Sequence, residues 1–284
     1  MKKRTKISLI VATALFLVGV LLFGIALAMA DFDIRKLSNE KYELNTYDVD
    51  PSFDEIEIVS DISDITFTLS KDNTCRVLCH EREKLLHEVK VENGKLIIRE
   101  VDTRKWYDYI TFFSFGDASV TVSLPQAQYD ALRIDVDTGD ISIPEAVTFD
   151  RINVKTSTGD VIVHGGAQTE RMEIVTSTGE IRIRNAWCEE IVLKTSTGDV
   201  ELKNTVAAKS LQVQTSTGDV ELERCDAPLI NVKTSTGDVE GNLLSPKQFS
   251  VDTSTGEIEV PASEGDQVCR ITTSTGDIEI DVVG

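Results

Sequence analysis

The sequence predicts an all-β chain wound into a single-stack β-solenoid (β-helix) of about 19–20-residue coils, preceded by one N-terminal transmembrane helix. One observation is the hexad Thr-Ser-Thr-Gly-(Asp/Glu)-(Val/Ile), which recurs through the C-terminal half on Gly159, Gly179, Gly198, Gly218, Gly237, Gly256 and Gly276. A worn copy around Gly139 precedes them, and successive glycines stand 19 or 20 residues apart, a fixed short period that marks stacked repeats. The other observation is the uncharged run Ile7–Ala30 behind Lys2, Lys3, Arg4 and Lys6.

Residues 1–6 read as a cytoplasmic basic tip and 7–30 as a membrane anchor, since 24 residues at 1.5 Å each span roughly 36 Å. Basic residues before the run and Asp31 and Asp33 after it place the N-terminus in the cytoplasm and the remainder outside the cell. Ala28-Met29-Ala30 also fits a signal-peptide cleavage site, so secretion after cleavage near Ala30 is the alternative.

Residues 31–50 are polar and read as a stalk. From 51 to 130 an irregular β region is expected, with strands over Phe53–Val59, Ile62–Leu69, Cys75–Cys79, Val89–Val91, Leu96–Arg99 and Val120–Leu124. Asn93-Gly94 is a hairpin-type turn, and Glu81–His87 is the one stretch there compatible with a short helical turn. Residues 102–117 break the pattern with Trp106, Tyr107, Tyr109, Phe112, Phe113 and Phe115, a plug over the core or an interaction patch.

The regular solenoid is expected over 131–284. Apolar pairs stand seven and five residues before each glycine (Ile152 and Val154, Leu211 and Val213) and two and four after it (Val161 and Val163, Val220 and Leu222). Alternation of this kind means strand, glycine corner, strand. Stacking at ~4.8 Å then lays identical residues above one another. The C-terminus ends on a strand with no cap, where Asp277, Glu279 and Asp281 are the charges that would discourage edge pairing.

By parity, both threonines of each hexad, such as Thr156 and Thr158, Thr195 and Thr197, or Thr215 and Thr217, should face inward. Ice binding would need them outward. The acids fall outward: Asp199, Asp219, Asp238, Glu257 and Asp277 follow their glycines, and Glu201, Glu221, Glu240, Glu259 and Glu279 come two residues later. Carboxylates stacked ~5 Å apart repel by roughly 0.8 kcal/mol per pair even in water. The face therefore either serves solubility and corner hydrogen bonding, or binds divalent cations or a cationic envelope target.

Outside the basic tip 25 basic residues face 48 acidic ones, which disfavours nucleic acid as a partner. The five cysteines read as small buried apolar residues without metal spacing, and Cys75 and Cys79, ~13 Å apart along one strand, are beyond disulfide reach. His80, His87 and His164 stand near no nucleophile motif, so no catalytic residue, metal ligand or cofactor is assigned, with weak divalent-cation binding left open.

The N-terminal membrane segment, Phe53-Asp54-Glu55-Ile56-Glu57-Ile58, Val120-Thr121-Val122-Ser123-Leu124-Pro125 and the Thr-Gly-Asp-Ile/Val run together resemble the bacterial "putative adhesin" family of β-strand-repeat proteins, domains of unknown function. The resemblance covers nearly all of 50–284. It implies a β-solenoid ectodomain at the cell surface and carries over no active site. The expected function is a non-enzymatic binding or structural module of the cell envelope with a cationic or cell-wall ligand. A regulatory ectodomain sensing envelope stress or cationic peptides with a membrane partner, and a carbohydrate-active solenoid enzyme, are the alternatives.

Overall fold

The computed structural model describes residues 3–29, 31–32, 41–106, 118–165 and 168–283. Helix α1 (Lys3–Met29) opens the chain, so three of the four basic residues expected in a separate tip lie within it. Its window Leu9–Met29 is long and apolar enough to cross a membrane, a property a signal sequence shares.

Seven strands build the N-terminal end: β1 (Tyr42–Val49), β2 (Glu55–Ile62), β3 (Asp64–Leu69), β4 (Cys75–Arg82), β5 (Leu85–Glu92), β6 (Lys95–Asp102) and β7 (Ser119–Leu124). The regular coils follow as pairs: β8 (Gln128–Thr138) with β9 (Ile141–Ile143), β10 (Thr148–Thr158) with β11 (Val161–His164), β12 (Gln168–Val175) with β13 (Ile181–Arg184), and β14 (Trp187–Lys194) with β15 (Val200–Lys203). The last four pairs are β16 (Val206–Gln214) with β17 (Val220–Cys225), β18 (Leu229–Lys233) with β19 (Val239–Leu243), β20 (Gln248–Thr255) with β21 (Ile258–Glu259), and β22 (Val268–Thr275) with β23 (Ile278–Val282).

Strands before the corner form one parallel column in the order β6-β2-β8-β10-β12-β14-β16-β18-β22-β20. Strands after it form a second, β7-β3-β9-β11-β13-β15-β17-β19-β23-β21. The middle coils stack in chain order, but both ends exchange neighbours. The β2/β3 coil lies between β6/β7 and β8/β9, and the C-terminal β22/β23 coil slides between β18/β19 and β20/β21.

This corrects the expected C-terminal edge. Strands β22 and β23 are interior, and the terminal coil of the stack is β20/β21, where Phe249 and Val251 are only partly buried and Ile258 is exposed. Residues 261–267 fold back on it, with the Ser263 hydroxyl accepting the Phe249 N–H at 3.0 Å. The crossing is held by Lys247, whose fully buried ammonium donates to Asp226, Gln267 and, at 2.7 Å, to Ser245.

The other end is an antiparallel cap. β4 pairs with β7 and with β1, and β5 pairs with β6. Residues 42–49, expected as stalk, are therefore strand, because β4 supplies backbone partners and the core takes Tyr47 and Val49. The Glu81–His87 stretch is a β-hairpin closing at Arg82 and Leu85 and not a helical turn. Asn93 and Gly94 both take positive φ between β5 and β6, as their turn chemistry predicts. Trp106 is exposed, while Tyr107, Tyr109, Phe112, Phe113 and Phe115 lie outside the described residues.

Inside the two columns the alternating apolar residues close a continuous apolar core. Val161, Ile181, Val200, Val220, Val239 and Ile278 form one file, none more than 1% exposed. Burying each contributes roughly 1.5–3 kcal/mol, which holds an otherwise marginal single coil in the stack.

Candidate functional site

The hexad builds a corner in which the recurring glycine, threonine and aspartate each have a task. Gly218 takes φ of 148°, and a Cβ there would lie 2.1 Å from the Gly198 carbonyl oxygen of the adjacent coil. Gly139, Gly159, Gly179, Gly198, Gly237, Gly256 and Gly276 repeat the geometry in one column, and the order Gly237, Gly276, Gly256 follows the exchanged coils. The sharp bend leaves the glycine carbonyl and the next amide without in-register backbone partners, and two side chains meet them. Thr215 donates its hydroxyl to Gly198 O at 3.2 Å from inside, and the Asp199 carboxylate accepts the Asp219 N–H at 2.9 Å from outside.

Only the first threonine of each hexad is therefore internal. Thr156, Thr195 and Thr215 are buried, whereas Thr158, Thr197 and Thr217 are exposed, which corrects the expectation that both face inward. Parity fails at the serine between them, since it and the threonine after it are both exposed, and at Ser177, Ser196, Ser216 and Ser235 the chain bends there, before the glycine.

The same geometry divides the ten acidic residues into two groups. Asp199, Asp219, Asp238 and Asp277 each give one oxygen to a corner amide, at 2.7–2.9 Å, and so serve the fold. Glu257, at the end of the column, donates its own amide to Asp277. Glu201 is half-buried against Arg184 at 3.2 Å and Arg182 at 3.6 Å. Glu221, Glu240, Glu279 and Glu259 are exposed, stand in direct register in that order, and make no ion pair among the described residues. At ~4.8 Å spacing each neighbouring pair repels by roughly 0.9 kcal/mol in water, more near a protein surface, so the file attracts cations.

Earlier in the aspartate column Glu180 replaces aspartate. Burial pushes its carboxyl above the ordinary value while Arg182 opposes the shift, and its side chain turns to Arg182. All five cysteines are free and buried, and burial pushes Cys75, Cys79, Cys188, Cys225 and Cys269 up to about 12.

A second cluster escapes the sequence reading. Cys79 and Glu81 on β4 meet His87 on β5, with ligand-capable atoms all within 4.8 Å. Spacing along the chain hides it because the groups come from both arms of a hairpin; the legible sign is the same-face pair Cys79-x-Glu81 with a histidine just past the turn.

Three solved structures are similar to this chain. One from Bacteroides fragilis, described as a "putative adhesin", is 16% identical with a TM-score of 0.53, covering 86% of this chain and 97% of that one. Another "putative adhesin", from Parabacteroides distasonis, is 14% identical with a TM-score of 0.49 over 85% and 98% of the two chains. A "putative lipid binding protein" from the same species is 13% identical with a TM-score of 0.45 over 87% and 98%. None of these descriptions names an enzyme, and at such identities the first shows the fold alone. No curated protein matches the chain. Residues 53–210 and 188–284 each match one domain family, and with most of its length so covered the chain belongs to the Toastrack DUF4097 family.

Proposed function

We propose that this protein is a membrane-anchored, extracytoplasmic binding module of the bacterial envelope that captures cationic ligands on the outer face of its second strand column. The observation that carries the reading is the unpaired file Glu221, Glu240, Glu279 and Glu259, held in register by parallel pairing. Helix α1, with basic residues at its start, supports an anchor with the stack outside the cell. The rigid core keeps the carboxylates at fixed spacing, so a ligand meets a preorganised row of charge.

Capture of the detergent-solubilised full chain on cationic peptide or cell-wall fractions tests this. Binding should fall with salt, since exposed charges are screened beyond about 8 Å at physiological ionic strength. Reversal of Glu221, Glu240 and Glu279 to lysine should lower capture at low salt at least about tenfold. Capture unchanged by the reversal rejects the acidic face as the contact. Calcium or magnesium competing at millimolar concentration would make the ligand a metal ion instead.

A further inference from the structure

The N-terminal cap holds a constellation that the acidic face does not use. Alternation along β4 puts Cys75, Val77, Cys79 and Glu81 on its inner side. The hairpin returns as β5 and brings His87 to the same place, so that a sulfur, a carboxylate oxygen and a ring nitrogen converge within 4.8 Å of one another. Cys79 and Glu81 are 0% exposed and His87 is 3% exposed.

Glu81 is the one carboxylate in the core among the described residues. Desolvating it costs several kcal/mol, so its presence needs a partner. His87 supplies part of the compensation, with Nδ1 2.7 Å from Glu81 Oε2 and its backbone N–H on the same oxygen at 2.5 Å. That pair leaves unexplained why a thiol completes the cluster and why the surrounding groups are arranged as they are. His87 Nε2 faces Ser60 Oγ at 3.3 Å, and Ser60 donates to Glu100 Oε2 at 2.6 Å. Asn45 Nδ2 donates to the other Glu81 oxygen at 2.7 Å. A metal-bound imidazole gives its second ring N–H to such an acceptor chain, and a ligating carboxylate is itself held by hydrogen bonds.

We propose that Cys79, Glu81 and His87 form a site for a divalent cation of borderline softness, zinc by its mixed sulfur, nitrogen and oxygen donors. Calcium and magnesium take oxygen ligands, whereas thiolate with imidazole selects the later transition ions and zinc. Bonds of about 2.0–2.3 Å to a tetrahedral ion put ligand atoms roughly 3.3–3.8 Å apart. The present separations, from 2.7 Å between Glu81 and His87 up to the 4.8 Å limit, bracket that range. Binding releases the Cys79 thiol proton and leaves the His87 nitrogen at the ion unprotonated. The ion then joins β4 to β5 and, through Ser60, ties the cap to the β2/β3 coil.

The test uses the full chain in detergent, reduced, stripped with chelator and titrated with cobalt and zinc. One equivalent of cobalt should produce a thiolate-to-cobalt charge-transfer band with tetrahedral visible bands, zinc should displace it, and zinc should raise the thermal midpoint. Cys79→Ser should abolish the charge-transfer band while Cys75→Ser, on the same strand face, keeps it. Ser60→Ala should weaken zinc about tenfold with the band retained. No charge-transfer band in the unmutated protein at saturating cobalt overturns the site and needs no variant, leaving Glu81 and His87 as a structural pair. A band that survives Cys79→Ser assigns the metal to another thiol and overturns it equally.

Discussion

The Asp219 carboxylate accepts the backbone N–H of Asp238 at 2.8 Å, joining the corner of one coil to the corner of the next. Aspartate has the reach for this bond. Glu180, one methylene longer, turns instead to Arg182. Replacing Asp219 with alanine should cost roughly 1–2 kcal/mol, as for a hydrogen bond to a charged group, read as a lower urea midpoint. Glu221→Ala, two residues on with no intramolecular partner among the described residues, should stay within about 0.5 kcal/mol. Equal losses at the two sites would contradict the division between structural aspartates and available glutamates.

The glycine column makes a harsher demand. A Cβ at position 218 meets the Gly198 carbonyl oxygen at 2.1 Å, and backbone cannot yield as a side chain would. Gly218→Ala should therefore destabilise by at least about 3 kcal/mol, beyond most point changes. A near-neutral alanine would mean that the coils are not in vertical register there.

Burial separates the two threonines of one hexad. Thr215→Val keeps the shape but removes the donor to Gly198 O, at a cost of about 1–3 kcal/mol for a carbonyl left without it. Thr217→Val changes an exposed position and should be neutral within about 0.5 kcal/mol. Thermal midpoints of the two variants decide the matter.

Five thiols held up to about 12 and closed off from solvent should resist alkylation at pH 8 in the folded protein and react fully in denaturant. The sign of the pH effect follows. Because the folded thiols ionise later than the ordinary 9.0, the native state is favoured below pH 9 and loses stability as pH climbs toward 12, where unfolding frees them to ionise. Mass spectrometry of labelled protein counts the reactive cysteines. Rapid labelling of Cys188 or Cys225 in the native state would show that the coils open.

The solenoid was legible because Val161, Val163 and their counterparts recur both every second residue and every 19 or 20, so strand and stack are written in the same letters. The acids on its surface were legible for the same reason. The order of coils at the ends was not, since near-identical coils present near-identical faces and one fits on another regardless of chain order. Nor was the inner or outer fate of Thr158 and Thr217, which depends on where the bend starts. Cys79, Glu81 and His87 come together only through the antiparallel cap, whose first strand is too polar along Tyr42–Val49 to announce itself.

The order of the acidic file, and with it the exchange of the last two coils, is tested most directly by paired cysteines. Glu279 is in register with Glu240 on one side and Glu259 on the other, at a strand spacing of about 4.8 Å, within disulfide reach, whereas Glu240 and Glu259 stand two spacings apart. On mild oxidation, Glu240→Cys with Glu279→Cys and Glu259→Cys with Glu279→Cys should each cross-link, and Glu240→Cys with Glu259→Cys should not. A cross-link between positions 240 and 259, with none between 240 and 279, would put the coils in chain order and contradict the structure of both the stack and its acidic face.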